Sequence, residues 1–154
     1  MDISTLVQED VVTVHLDDSL LDVAEVFRKE RVGSAVVLDS HDDVLGIVTD
    51  RDLVVYGQHF ADSLERTTVN EVLSTSVFSV DSSVSVLELT ERMREAGVRR
   101  VPVIENGELR GIVTLNDVIV HLAGELDSPE LENVAAVLEA ASPERSRDGA
   151  ADGS

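Results

Sequence analysis

The sequence predicts an α+β fold: two β-α-β-β-α repeats packed together about a pseudo-twofold axis. Three observations lead there. The chain matches itself at an offset of 66 residues, the mark of an internal repeat. Each copy alternates short β-branched runs with a stretch of helical apolar spacing. A unit of about 53 residues with nearly continuous apolar strands is too small to shield its own sheet from water. The copies are therefore expected to clasp each other and share one core.

The repeat is read directly. Val11–Leu38 aligns without a gap on Val77–Ile104, with identities at Val11/Val77, Val14/Val80, Ser19/Ser85, Leu21/Leu87, Glu25/Glu91, Arg28/Arg94, Val32/Val98 and Val37/Val103. After a one-residue deletion, Gly46-Ile47-Val48-Thr49 aligns on Gly111-Ile112-Val113-Thr114, and Asp52 on Asp117. The short segments Ile3–Val7 and Val69–Leu73 also correspond, each just before its copy's first strand. The units are placed at 3–56 and 69–122, with a polar connector over 57–68.

In order, Val11–Val14 and Val77–Val80 are β-rich runs. Ser19 is a candidate helix cap, and Leu20, Val23, Ala24 and Phe27 follow at i, i+3, i+4 and i+7. The second copy places Val86, Leu89, Thr90 and Met93 at the same spacing, and Gly97 suits a left-handed stop. Ala35–Leu38 with Val44–Val48, and Val101–Ile104 with Leu109–Val113, read as strand pairs. Asn106-Gly107 is a strong two-residue hairpin signal. A closing helix begins at Thr49 or Thr114. Beyond Leu122 comes a helical extension over 123–141, started by Ser128-Pro129, with Leu131, Val134, Ala135 and Leu138 along one face. Ser142–Ser154 reads as a disordered tail.

Composition narrows the function. There are 31 acidic against 12 basic residues, a formal net charge of −19. Such a surface repels phosphate backbones and anionic lipid, so no nucleic-acid and no membrane partner is expected. Of the cations only Lys29 is lysine. Heavy acidity with almost no lysine resembles the surfaces of salt-accumulating halophiles, and a halophilic archaeon is the expected source. At molar salt the screening length is only about 3 Å, which quenches the self-repulsion. The longest apolar runs are about five residues, far below a bilayer span. The N-terminus lacks the pattern of a secretory signal. With no cysteine there is no disulfide and no thiolate metal site, and a cytoplasmic location is expected.

The repeated phrase is Gly-Ile-Val-Thr-x-x-Asp, at Gly46–Asp52 and Gly111–Asp117. A strand ending in Thr at a helix start, with Asp three residues on, sets two polar side chains beside unpaired N–H groups. Such a mouth can hold a sugar or phosphate, the carboxylate accepting from hydroxyls. The same spacing is also close to a capping box, with Thr at the cap and Asp three residues later. Both readings stand at the level of sequence.

Two β-α-β-β-α units, each ending in this phrase, resemble a tandem pair of CBS domains. Val32-Gly33-Ser34-Ala35-Val36-Val37 and Val98-Arg99-Arg100-Val101-Pro102-Val103 stand where that family has its second strand, and the resemblance covers about residues 3–122. It implies a regulatory module that binds AMP, ADP, ATP or S-adenosylmethionine in clefts between the units. By the resemblance, Asp52 and Asp117 contact ribose hydroxyls, and Thr49 and Thr114 contact ribose or phosphate. Backbone at Val12, Thr13, Ser34 and Ala35 holds one base; Phe78, Ser79, Arg100 and Val101 hold the other. Asn116 lies within the second phrase. The copies differ at Val36 and Pro102, and no cation in the first matches Arg99 or Arg100, so the clefts can differ in selectivity.

Phosphates need positive charge, and Arg51, Arg99 and Arg100 are the candidate clamps by forked hydrogen bonds, with Arg92, Arg94 and Arg110 nearby in the chain. The alternative is helix-surface pairing, Glu88 with Arg92 and Glu91 with Arg94. His15, His41, His59 and His121 show no metal-ligand spacing, and no nucleotide-loop or zinc-protease motif occurs. No cofactor beyond the nucleotide and no metal are expected.

Three functions compete. The first is a non-catalytic nucleotide sensor that forms a homodimer and signals through an unidentified protein partner by differential binding. The second is a ligand-free structural dimerisation module. The third, a nucleotide-directed enzyme, lacks any repeated nucleophile–base constellation.

Overall fold

The computed structural model describes residues 2–57, 64–73 and 78–141. The tail at 142–154, the first part of the connector, His59 and Val77 lie outside the described residues. Each repeat forms one three-stranded sheet. In the first, β1 (Thr13–His15) runs parallel to β2 (Ser34–Leu38), which is antiparallel to β3 (Val44–Thr49). In the second, β4 (Val80–Asp81), β5 (Arg100–Glu105) and β6 (Glu108–Thr114) repeat that order. The first strands start later than the valine runs predict. In the first copy pairing already begins at Val12, whose carbonyl accepts the Val36 N–H at 2.9 Å. Val36 is replaced in the second copy by Pro102, which has no N–H to give, and β4 is only two residues long.

Between the first two strands of each unit lie α1 (Leu20–Glu30) and α4 (Val86–Ala96). The Ser19 and Ser85 hydroxyls cap them, accepting the Asp22 and Glu88 N–H groups at 3.0 Å. Both helices end on a left-handed residue, Gly97 at φ 67° and, less comfortably, Arg31 at φ 57°. Asn106 and Gly107 both have positive φ, 54° and 81°, between the paired Glu105 and Glu108, the two-residue hairpin that their sequence announces. In the first copy the turn is built on Asp39. The Asp43 and His41 N–H groups hold its carboxyl below the usual aspartate range. The support this gives the turn is complete above that ordinary range and is lost as pH falls through the lowered native value.

The units close with α2 (Asp50–Gly57) and α5 (Leu115–Gly124), and α6 (Pro129–Ala141) packs on α5. Of the face read for α6 from sequence, Ala135 is buried and Leu138 half-buried, whereas Leu131 and Val134 are exposed. No helix among the described residues is long and apolar enough to cross a membrane.

The single shared core is also corrected. There are two cores, one per sheet, each completed by the other repeat's leading segment. Val14, Val23, Phe27, Ala35, Val37 and Val48 enclose Val69. Val80, Leu89, Met93, Val101, Val103, Val113 and Val118 enclose Ile3. The 3-10 turn Ser4–Leu6 and the short helix α3 (Val69–Val72) carry these anchors. Ile3 N–H donates to Val84 at 3.0 Å, and Gln8 exchanges two main-chain bonds with Ile112, at 2.8 and 3.0 Å. Reciprocally, Leu20 N–H donates to Thr67, Val69 N–H to Asp18 and Asn70 N–H to Leu16, at 2.8 to 3.0 Å. The later half of the connector is thus packed structure: Thr67 is buried, and Thr68 with Glu71 forms a capping box. Where the units meet, β3 lies against β5, and Val36 and Ile112 are buried without belonging to either core.

Two outcomes follow from this packing. Ile3→Ala, although only the third residue of the chain, should destabilise the protein by about 2–5 kcal/mol in urea titration, as a core isoleucine does. Arg31→Gly should raise stability by about 1 kcal/mol in the same titration by relieving the left-handed strain.

Candidate functional site: clefts between the repeats

The strand registers decide which motif residues meet. Ser34 pairs with Thr49 across β2 and β3, and Arg100 pairs with Thr114 across β5 and β6. The second-strand segment and the Thr-x-x-Asp phrase are therefore neighbours in each unit. Val12, Ser34 and Ala35 line one cleft with Asp10, Val11, Val32, Val36 and Ile47, and Ile112 of the second unit closes it. The cleft is a narrow slot that opens to solvent. Thr13 is exposed beside it, and Arg51 is exposed on the first turn of α2.

Both phrases also act as capping boxes. Asp52 Oδ2 accepts from Thr49 N–H at 2.8 Å and from the Thr49 hydroxyl at 3.1 Å. Asp117 Oδ2 accepts from Thr114 N–H at 2.9 Å and its hydroxyl at 2.8 Å. In return each Thr hydroxyl accepts an N–H, from Asp52 at 3.3 Å and Asp117 at 3.2 Å. The geometry of the two boxes is shared; their surroundings are not. Asp52 is half-buried, and its Oδ1 takes no hydrogen bond from the described residues. Asp117 is 7% exposed, and the Gln8 amide donates to Oδ1 at 2.9 Å and Oδ2 at 3.0 Å.

In the second unit Phe78 packs on the core, with the Arg92 guanidinium 5.7 Å from its ring centre, a cation–π contact. Ser79 is exposed, Asn116 half-buried, and Pro102 buried opposite Ile112. The Val101 side chain is fully in the core, leaving its main chain alone for a ligand. Pro102 offers no N–H to Phe78, unlike Val36 to Val12, so the two units differ in how their first and second strands are hydrogen-bonded.

The arginines separate. Arg99 lines a groove between α4 and α5 with Met93, Arg94, Val98 and Leu115, and its carbonyl accepts the Leu115 N–H at 2.9 Å next to the Arg100–Thr114 pair. Arg110 is committed elsewhere: it donates to the Ser4 carbonyl at 3.0 Å and pairs with Glu9 at 3.2 Å and Glu105 at 3.4 Å, riveting the leading segment to the second sheet. The helix pairs Glu88/Arg92 and Glu91/Arg94 do not form; Arg28–Glu25 does, at 3.1 Å.

Of the cleft lining, sequence reasoning missed Asp10, Val11, Val32, Val36, Ile47 and Ile112, and it missed Gln8 beside Asp117. One signal was present in the repeated glycine. A Cβ at Gly111 would collide with the Gln8 carbonyl oxygen, so this glycine admits the leading segment onto the edge of β6.

Two fused β-α-β-β-α units, exchanging their leading segments and enclosing a cleft, define a tandem-repeat ligand-binding module. The CBS domain family matches at residues 3–58 and again at 69–124, and the chain belongs to that family; CBS pairs are regulatory ligand-binding modules. Hypoxic response protein 1 of Mycobacterium tuberculosis is 34% identical over 105 residues, 68% of this chain and 73% of that protein. A crystal structure of hypoxic response protein I with two coordinated zinc ions superposes with a TM-score of 0.68 at 30% identity, over 79% of this chain and 98% of that one. The zinc is a property of that relative; among the described residues here, no three His, Cys, Asp or Glu side chains are grouped to hold a metal ion. A CBS-domain pair solved with 5′-methylthioadenosine and S-adenosyl-L-methionine shares the fold, with a TM-score of 0.68 at 20% identity over 82% of this chain and 98% of that one. An uncharacterised protein of Methanopyrus kandleri is 29% identical over 76% of this chain, which spans 60% of that relative's length.

Gly111→Ala should cost about 1–3 kcal/mol in thermal or urea unfolding, the usual penalty for overpacking, because a main-chain oxygen cannot swing aside.

Proposed function

We propose that this protein is an adenosine-ligand sensor that binds AMP, ADP, ATP or S-adenosylmethionine in the cleft between its repeats and acts through a partner chain. The observation that carries the reading is the first cleft: a largely apolar slot lined by Ser34, whose strand partner Thr49 leads into the helix that carries Asp52, a carboxylate with one oxygen that has no donor among the described residues. Val11, Val12, Val32, Val36, Ile47 and Ile112 present apolar surface on which a purine can stack. Main-chain groups at Val12 and Ser34 give its edge direction. Asp52, in the first turn of α2 just past the β3 strand end, accepts from a vicinal diol, while facing a phosphate it would repel it. Arg51, exposed on the first turn of α2, is the candidate cation for a phosphate. The CBS pair solved with two adenosine-containing ligands shares this fold, which supports the adenosine moiety as the common chemistry.

Mechanism follows from the walls. Ile112 comes from one repeat and Val12, Ser34 and Ala35 from the other, so a ligand that touches both favours one relative arrangement of the units. We place the homodimer contact on the closing helices, where Val54, Val55, Leu115 and Leu122 are exposed. The second reading, a ligand-free assembly module, is favoured by the capping boxes, since Asp52 and Asp117 already serve their helices.

Thermal melting in molar salt separates the two. A bound ligand at 100 times its dissociation constant should stabilise the protein by about 2.7 kcal/mol. Asp52→Ala should weaken binding about tenfold or more, the loss of hydrogen bonds to a charged group. No shift with AMP, ADP, ATP or S-adenosylmethionine would leave the assembly module standing.

A further inference from the structure

We propose that Gln8 is an internal competitor at the second cleft, occupying the Asp117 carboxylate so that ligand enters the first cleft preferentially. The inference rests on the sensor reading above and names how its two sites are made unequal. Gln8 Nε2 sits 2.9 and 3.0 Å from the two Asp117 oxygens. A carboxylate only accepts, so the amide must present its NH2 and not its oxygen. These are the lone pairs that the two hydroxyls of a ribose would need. Oδ2 also carries the Thr114 N–H and hydroxyl, and the residue is 7% exposed. A diol can therefore reach this carboxylate only by displacing the glutamine.

The latch is built to stay in place yet to release. Its main chain is paired with Ile112 on both sides, at 2.8 and 3.0 Å. Arg110 fixes the segment at Ser4 and Glu9, and Ile3 is buried in the second core. Release of the amide needs a change in the side-chain torsions of Gln8, with both main-chain bonds to Ile112 kept. The first cleft has no equivalent in sequence: the repeat sets Ser74, outside the described residues, against Gln8. A serine carries no amide. Asp52 accordingly keeps Oδ1 without a donor among the described residues, while both oxygens of Asp117 are engaged.

Calorimetric titration with AMP, and separately with S-adenosylmethionine, tests this in molar salt on the full chain. Gln8→Met keeps the bulk and the main-chain pairing with Ile112 but removes the donor. Should it melt early, Gln8→Asn, one methylene short of the carboxylate, carries the same test. The wild type should bind one ligand per chain, lost in Asp52→Ala. Gln8→Met should bind two, the new site tightened by about tenfold, retained in Gln8→Met with Asp52→Ala and lost in Gln8→Met with Asp117→Ala. If Gln8→Met matches the wild type in stoichiometry and affinity, or the wild type already fills two equal sites, the latch is wrong and the sensor stands. If neither compound binds any variant, both fall.

Discussion

The structure depends on an exchange. Each repeat is too small to close its own core, and the missing piece is supplied by the segment that leads into the other repeat. Ile3 seals the second sheet and Val69 seals the first. A fully buried isoleucine or valine contributes roughly 1.5–3 kcal/mol by removal from water. Two such anchors, with the main-chain bonds around them, tie the units together more firmly than the contact of β3 with β5 alone. The cleft is a consequence: strapping the units at both ends leaves their inner strand faces close but not fused.

The same strap gives the two clefts different characters despite their common motif. The repeated Thr and Asp cap a helix in both units with nearly the same distances, because a strand running into a helix leaves the same donors unpaired in both. What differs is the neighbour. Gln8 reaches Asp117, and nothing among the described residues reaches Asp52 Oδ1. Pro102 removes a donor where Val36 supplies one. The capping box uses one oxygen of Asp52 and leaves the other without a donor among the described residues.

Electrostatics place a further limit on what the protein meets. With a net charge of −19, positive groups are scarce, and several are occupied: Arg110 by the strap, Arg92 over Phe78 and Arg28 by Glu25. Exposed apolar side chains gather instead on the closing helices and on α6. Burying such surface does not require opposite charge, and high salt that screens the acidic surface leaves the apolar contribution in force.

The repeat, the strand order, the serine caps, the Asn106-Gly107 hairpin and the family were legible in the residues themselves. Each rests on local chemistry: periodicity, a capping hydroxyl, a backbone angle that few residues adopt. The pairing of Ser34 with Thr49 was implicit in that order. Three things only the tertiary structure decided, because each joins residues far apart in the chain. Ile3 and Val69 read as parts of their own units, and hydrophobicity does not say which core a valine enters. Gln8 carried no signal, since an amide's role is set by the carboxylate it meets 109 residues away. The α6 face was drawn from periodicity alone, but how much of it α5 covers depends on the angle of the chain after Gly124, and only Ala135 and Leu138 of its four residues turned inward.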